Sequence, residues 1–200
     1  MIPTTKLCHA SVVALLLAVY AHAQGTFVYD QQSVTTDGTF AEGVETIQIA
    51  QPIGQSFTPT LDSINFIRLK LTDRAANGIG AAVHINLRSG SITGPIIAST
   101  APVAMLDGFA GPTNFFFASS ISVSPGAMLY FQPVVQSGDA WGIYHDRHLD
   151  YSGGTAFFGG QLDPFFDLWF REGIIVPEPS SALLLLSGAV LVVYFRRMRT

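Results

Sequence analysis

The stretch Val83-His84-Ile85-Asn86-Leu87-Arg88 has the clearest alternation of apolar and polar residues in this 200-residue chain. Successive side chains of a β-strand point to opposite faces, so a period of two predicts a strand with one buried face. The three aliphatic side chains are expected to point into a core. The three polar side chains, those of His84, Asn86 and Arg88, are expected to face water.

Similar apolar blocks lie on both sides of this stretch, separated by turns such as Asn77-Gly78 and Ser124-Pro125-Gly126. Phe66 beside Ile67 indicates a β-bulge, and Pro133 favours an edge position or a bulge. The other predicted strands cover residues 55–59, 64–71, 96–98, 114–118, 121–123, 128–132, 141–144 and 165–171, with an edge strand and a loop within 24–51.

About eight short strands without an amphipathic helix predict an all-β domain, an antiparallel β-sandwich. A jelly-roll topology is the first choice, and an immunoglobulin-like sandwich is the second. The domain is expected to cover residues 24–175, and about 150 residues are enough to bury a core.

Residues 24–175 contain thirteen acidic and six basic side chains, a difference of −7. Nucleic acids and anionic membrane surfaces attract basic proteins, so this balance weighs against either of them as a partner. Solubility outside the cell is the simpler interpretation of the charge.

Residues 1–23 have the parts of a secretory signal peptide: Lys6, an apolar core over residues 12–19, and the small-residue cleavage site Ala21-His22-Ala23. Removal after Ala23 is expected, because the apolar core is too short to span a membrane. The single cysteine, Cys8, lies in this peptide, so the mature protein is expected to contain no disulfide.

The C-terminal residues 176–200 have three parts in order. Pro177-Glu178-Pro179 is followed by an uncharged apolar run over residues 180–195 and then by Arg196, Arg197 and Arg199. A helix over 180–195 would measure about 24 Å, a short transmembrane helix for a hydrocarbon core of ~30 Å. The basic tail, 196–200, is expected in the cytoplasm, and the prolines keep the junction extended for a processing enzyme.

This order resembles the PEP-CTERM sorting signal of Gram-negative bacteria that make exopolysaccharide. The resemblance implies export through the inner membrane as a membrane-anchored precursor. It also implies an exosortase as processing partner, a membrane-embedded enzyme that removes the tail and passes the protein to the cell surface or extracellular matrix. A plain C-terminal anchor is the alternative, whereas three terminal arginines argue against a GPI signal.

Three short motifs of the domain are similar to those of choice-of-anchor bacterial surface domains. They are Gln55-Ser56-Phe57, Ser124-Pro125-Gly126 and Tyr151-Ser152-Gly153-Gly154, in that order along the chain. This class implies no activity that could be transferred to these residues.

The segment His145-Asp146-Arg147-His148-Leu149-Asp150 concentrates ionisable residues that could ligate a divalent metal. Glycines on both flanks predict a solvated loop instead. Asp163, Asp167 and Asp150 could supply oxygen ligands to a structural Ca²⁺, although Asp163-Pro164 is also typical of a turn. No metal cofactor is therefore expected, and the candidates for one are Asp163, Asp167, His145 and His148.

Four aromatic residues are candidates for stacking on sugar rings: Trp141, Tyr144, Tyr151 and Trp169. Trp169 alternates with Leu168 and Phe170, which would place it on an outer face beside Asp167. Core packing is the alternative for each, because a sandwich of this size also fills its core with aromatic rings.

The mature sequence contains no nucleophile elbow, no cysteine and no glycine-rich phosphate loop. A hydrolase that uses Asp146, Asp150, Asp163 or Asp167 is the enzymatic alternative. The prediction is a non-enzymatic exported protein with a structural or adhesive role at the cell surface or in the exopolysaccharide matrix. A carbohydrate-binding module that uses surface aromatics is the second hypothesis.

Overall fold

The computed structural model describes residues 25–34, 43–75, 77–147 and 151–177. These residues form fourteen β-strands and no helix, so the prediction of an all-β fold is confirmed. Accordingly, no described segment is a helix that could span a membrane. Several predicted features lie outside the described residues: the signal peptide with Ala21 and Ala23, the helix over 180–195, and Glu178, Pro179, His148, Asp150, Arg196, Arg197 and Arg199.

The strands are short, as the spacing of turn residues predicts. Their bounds are β1 Thr26–Ser33, β2 Gly43–Thr46, β3 Gly54–Phe57, β4 Ser63–Asp73, β5 Ala81–Ser89, β6 Ile96–Ser99, β7 Val103–Met105, β8 Ala110–Ser122, β9 Leu129–Gly138, β10 Trp141–Asp146, β11 Ala156–Phe158, β12 Gln161–Asp163, β13 Asp167–Leu168 and β14 Phe170–Val176.

Within the described ranges, the strands pair in two antiparallel sheets of seven strands each. Sheet A follows the order β1-β14-β4-β10-β13, with β8 paired to β4 and β2 paired to β10. Sheet B follows the order β12-β11-β3-β9-β5-β6, with β7 paired to β5. Strand β10 changes its partner along its length, from β4 at residues 141–143 to β13 at residues 145 and 146.

The two sheets share one hydrophobic core. The ring of Phe170 in sheet A lies 5.1 Å from that of Phe131 and 6.2 Å from that of Phe57, both in sheet B. All three are fully buried, and each such side chain contributes roughly 1.5–3 kcal/mol to folding. Two antiparallel sheets that bury their inner faces against each other have the arrangement of a β-sandwich.

This core belongs to the compact unit Val28–Ile174. Of a second compact unit, the structure describes residues 25–27 and 175–177. These include the first residues of β1 and the last residues of β14.

The stretch with the clearest alternation forms most of β5, and its aliphatic side chains are fully buried, as predicted. The prediction that its polar face lies in water is wrong. Asn86 is 8% exposed and accepts a hydrogen bond of 2.7 Å from Ser99 Oγ of β6. His84 and Arg88 are half-buried. Strands on both sides of β5 bring side chains against this face, which the sequence of one strand does not reveal.

Two predicted strand boundaries also change. The predicted strands at 114–118 and 121–123 are one continuous strand, β8. The single strand predicted at 165–171 divides at Trp169, where pairing with β10 through Leu168 gives way to pairing with β4 from Phe170 onward. The bulge predicted near Phe66 is confirmed, since the register of β4 and β8 shifts between Ile64 and Phe66.

At Pro133, strand β9 has a described neighbouring strand on one side only, β5, so this residue lies at a local edge of the sheet. Strand β3 pairs with β9 through residues 129–131 and no further. Beyond that point, the carbonyl of Pro133 accepts a hydrogen bond of 2.8 Å from Gln51 Nε2. On the side where β3 has ended, the missing N–H of a proline costs no hydrogen bond between strands. This fits the predicted edge position of Pro133.

Candidate functional site

The outer face of sheet B carries a groove of about 500 Å³. Tyr130 of β9 and Phe157 of β11 line it, and their rings meet edge to face with centroids 5.7 Å apart. Met128 and Leu162 also line the groove and are 50% and 57% exposed. Grooves of this size, with apolar walls and a few polar groups, are typical of small-ligand sites.

Strand alternation turns both rings outward. Leu129 and Phe131 point into the core and are 6% and 0% exposed, so Tyr130 between them points away from it. In the same way, Ala156 is buried in β11 and sends its neighbour Phe157 to the outer face. The rings are therefore positioned by the packing of the core beneath them.

The polar wall of the groove joins β3 to the loop over residues 152–155. Thr155 N donates a hydrogen bond of 2.9 Å to Ser56 Oγ, and Ser56 N donates one of 2.9 Å to Thr155 O. Thr58 Oγ1 donates one of 2.9 Å to Gly153 O. Gly154 lies so close to β3 that a Cβ atom there would overlap the carbonyl oxygen of Ser56. Only glycine allows this approach.

A row of hydrogen-bonded polar side chains continues along the same face beyond Tyr130. Arg88 is directly opposite Tyr130 in the pairing of β5 with β9, which places both side chains on one face. Arg88 Nε donates to Gln132 Oε1 at 2.8 Å, and Gln132 Nε2 donates to Gln51 Oε1 at 2.6 Å. In both glutamines, Oε1 accepts a hydrogen bond and Nε2 donates one, and the last donor, Gln51 Nε2, bonds to the carbonyl of Pro133. The row therefore has one fixed orientation.

The sequence prediction did not select Tyr130 or Phe157. A signal for Tyr130 exists in Met128-Leu129-Tyr130-Phe131-Gln132, where alternation around two core residues puts Tyr130 and Gln132 on one outer face. Strand β11 is three residues long, too short to show a period, so Phe157 has no comparable signal.

The two tryptophans nominated as sugar-stacking residues are buried. Trp141 is 0% exposed, and its ring stacks on that of Phe109 with centroids 6.2 Å apart. Trp169 is 8% exposed, with the guanidinium carbon of Arg171 5.7 Å from its ring centroid. The prediction that these rings are exposed is therefore wrong. Alternation assigns a residue to a face of its strand but does not reveal what covers that face.

The two nominated tyrosines are half-buried. Lys70 Nζ lies 4.5 Å from the ring centroid of Tyr144, within cation–π distance. The hydroxyl of Tyr151 donates a hydrogen bond of 3.0 Å to Gln31 Oε1 and accepts one of 3.3 Å from Thr58 N. Burial raises the pKa of Tyr151 to about 12. Tyr151 thus acts as an internal hydrogen-bonding residue beside the core.

His145 lies in strand β10 and not in the predicted loop. Its ring meets those of Phe158 and Phe166 edge to face, with centroids 5.3 and 4.9 Å away. Burial lowers the pKa of His145, although the negative charges of nearby carboxylates act in the opposite direction. An imidazole enclosed by two aromatic rings is suited to packing, and its metal-ligand partner in the prediction, His148, lies outside the described residues.

The candidate carboxylates hold local structure together. Asp163 Oδ1 accepts a hydrogen bond of 3.0 Å from Phe165 N, which fits the predicted turn at Asp163-Pro164. Asp146, predicted in the loop, is the last residue of β10 and pairs with Asp167 of β13; they are 2% and 7% exposed. In the part of the chain that the structure describes, no three histidine, cysteine or acidic side chains come together as a metal site.

Residues 176–199 match the family model of the PEP-CTERM protein-sorting motif. No curated protein and no solved structure is similar enough to the chain to match it. The motif implies export, anchoring of the C-terminus in the membrane, and sorting by an exosortase to the surface of a Gram-negative bacterium. The chain is therefore a PEP-CTERM sorting domain-containing protein, and its sorting motif makes it an exosortase substrate.

Proposed function

We propose that the sorted protein has a structural or adhesive role at the cell surface or in the exopolysaccharide matrix, where it binds polysaccharide in the groove of sheet B. The single observation that carries this proposal is the pair of aromatic rings, Tyr130 and Phe157, in an open groove of about 500 Å³. The faces of sugar rings pack on aromatic rings, while amides, hydroxyls and backbone carbonyls match their hydroxyl groups.

The way in which the groove is built supports this role. The proposed contacts lie on strands of a β-sandwich, for which we propose a jelly-roll-like topology, and strands position side chains more accurately than loops do. Ser56 and Thr155 are tied by hydrogen bonds in both directions. A groove that is formed before binding loses little conformational entropy when it is filled. Many weak sites along one polymer then act together by avidity.

We further propose that the protein is not an enzyme. Of the carboxylates considered for hydrolysis, those of Asp146 and Asp167 are buried, and the two residues are opposite each other in the backbone register of β10 and β13. Asp167 also accepts hydrogen bonds from Gln55 Nε2 and Tyr151 N. A carboxylate committed to structural hydrogen bonds at the end of a strand is poorly placed to transfer protons to an external glycan.

Affinity electrophoresis tests the groove. The mature protein would migrate through gels that contain the exopolysaccharide of its host, and retardation relative to a polymer-free gel measures binding. We expect Tyr130→Ala and Phe157→Ala to abolish most of the retardation. Phe116→Ala removes a half-exposed ring from sheet A, 44% exposed, and is the matched control. An unretarded wild-type protein, or equal retardation of all variants, would contradict the proposal.

The sorting pathway is tested separately by the intact mass of protein recovered from the matrix. We expect a product that lacks residues 1–23 and ends near Pro179. Alanine substitution of Pro177-Glu178-Pro179 should leave residues 180–200 attached and keep the protein with the membrane fraction. A variant with the same mass and the same matrix location as the wild type would show that the motif does not direct its sorting.

A further inference from the structure

Arg88 is the basic side chain next to the proposed glycan groove. It is directly opposite Tyr130 in the register of β5 and β9, and neighbouring strands lie about 4.8 Å apart. A sugar residue packed on Tyr130 can therefore reach the guanidinium with a substituent of its own ring or of the next ring in the chain.

The hydrogen bonds of Arg88 leave part of its donor capacity for a ligand. A guanidinium has five N–H groups. In the described part of the chain, Nε of Arg88 donates to Gln132 Oε1 at 2.8 Å and Nη1 donates to Gly94 O at 2.5 Å. Both acceptors are neutral, so these bonds orient the guanidinium without neutralising its charge.

Four of the other five cations of the domain lie close to aromatic rings, and the fifth, Arg74, is exposed in the loop after β4. Lys70, Arg68 and Arg171 lie over aromatic rings on sheet A, and Arg147 lies near the ring of Phe166. Arg88 faces neutral amides on sheet B in a domain whose acidic residues outnumber its basic ones. An oriented, half-buried guanidinium is the side chain that best matches a carboxylate, with two parallel N–H···O bonds.

We propose that the groove selects a carboxylated polysaccharide, such as a polymer of uronic acids, with a sugar ring packed on Tyr130 and its carboxylate bound by Arg88. This inference rests on the proposed glycan-binding function of the groove and adds the chemical class of the glycan. The overall negative charge of the domain opposes an acidic polymer at long range, but salt screens that repulsion beyond about 8–10 Å. The contact with Arg88 is made within that distance.

A purely structural role for Arg88 predicts a different result. Arg88 also ties β5 to the turn at Gly94, so its removal is expected to lower stability under either hypothesis. Selectivity between charged and neutral forms of one polymer separates the two, because a structural residue would change binding to both forms alike.

The test uses polygalacturonate and its methyl ester, which share a backbone and differ in the charge of the carboxyl group. Binding of the mature protein to each is measured by calorimetry at one ionic strength. We expect at least about 10-fold tighter binding of the acid than of the ester, as a charge-assisted bidentate contact provides. Arg88→Gln should reduce the acid to the affinity of the ester, and Arg88→Lys should restore part of the preference. Arg74→Gln makes the same charge change at a loop after β4 and should leave the preference unchanged.

Equal affinity of the wild type for acid and ester would overturn the inference and leave the proposed function standing. So would a preference that survives Arg88→Gln. Binding of neutral glycans alone would overturn it in the same way. Absence of binding to both polymers and to the host exopolysaccharide would overturn the proposed function as well. Tyr130→Ala is the control for location: binding in the groove should be lost in this variant.

Discussion

Gln55 Nε2 donates a hydrogen bond of 2.6 Å to Asp167 Oδ1, and this bond joins β3 of sheet B to β13 of sheet A through the core. Gln55 Oε1 accepts the backbone N–H of Leu168 at 3.0 Å, so both ends of an amide that is 0% exposed are satisfied. Asp167 Oδ2 accepts a further hydrogen bond of 3.1 Å from Tyr151 N, next to the loop that lines the groove. One buried amide thus connects the two sheets to the groove wall.

Replacement of this amide should destabilise the protein. Gln55→Leu leaves an oxygen of Asp167 and the N–H of Leu168 without the bonds that they make to Gln55, and the free energy of unfolding should fall by about 3 kcal/mol. Urea denaturation followed by tryptophan fluorescence measures the loss.

Gln48→Leu is the matched control. Gln48 makes an equivalent pair of hydrogen bonds, to Asp139 O at 2.6 Å and from Trp141 N at 3.1 Å, but its side chain is exposed. Water can replace those bonds, so the loss should be under about 1 kcal/mol. Equal losses of unfolding free energy for the two glutamine variants would show that the buried bond between the sheets contributes no more to stability than an exposed one.

Glu172 is a buried acid on the inner face of β14, opposite Ile67 of β4 and 0% exposed. Burial raises the pKa of Glu172 to about 9, and the negative charge of Asp30 adds to the effect. Burial would by itself raise the pKa of Asp30 as well, but hydrogen bonds from Leu61 N and Thr60 N, at 3.0 and 2.7 Å, help to lower it. Glu172 therefore keeps its proton at neutral pH beside an ionised Asp30.

Stability should fall as the pH rises because of Glu172. In the unfolded chain this group ionises near its ordinary value of 4.5, whereas the folded protein holds the proton until about 9. Between these values the unfolded state binds fewer protons, so Glu172 removes up to about 1.4 kcal/mol of stability per pH unit. Glu172→Gln should cancel this slope and raise the urea midpoint at about pH 8. Glu45→Gln, at a half-buried glutamate of β2, should leave the slope in place; a slope that survives Glu172→Gln would refute the assignment.

His145 should act in the opposite direction. Burial between two phenylalanine rings lowers the pKa of His145 from its ordinary 6.5, so the folded protein keeps a neutral imidazole that the unfolded chain protonates. Its contribution to stability is full above about 6.5 and is lost as the pH falls toward the lower folded value. In the Glu172→Gln background, the melting temperature should decline in this range. Addition of His145→Phe, which keeps the aromatic packing, should reduce the decline, and the remainder is expected from His84, whose pKa is also lowered by burial. An unchanged decline would contradict this role.

Gly154→Ala should damage the groove specifically. The added Cβ would overlap the carbonyl oxygen of Ser56 and push the loop over residues 152–155 away from β3, at an expected loss of roughly 1–3 kcal/mol. Retardation by the host exopolysaccharide should disappear. Gly78→Ala meets open space at a φ of +88°, so it adds backbone strain of about 1–2 kcal/mol far from the groove and should leave retardation intact. Loss of binding in both variants would indicate general destabilisation.

The strands that alternation predicts well are those whose apolar side chains all lie on one face. Strand β5 was predictable because its aliphatic side chains repeat at a period of two. Strand β4 has a similar repeat, and the break in that repeat at Phe66 indicated the bulge. Trp169 was not predictable, because its burial depends on neighbours such as Arg171 at the break between β13 and β14. The loop predicted at His145 failed for a related reason: pairing with β13 extends β10 through residues whose local sequence favours a turn.

By itself, the sequence determined the all-β class and the C-terminal sorting motif, because hydrophobic period and motif order are properties of neighbouring residues. Only the tertiary structure decided that Trp141 is buried while Tyr130 and Phe157 line a groove. It also decided that Ser56 meets Thr155, 99 residues further along the chain. Such contacts depend on which strands become neighbours in a sheet, and that choice follows from the packing of the whole core and not from any single segment.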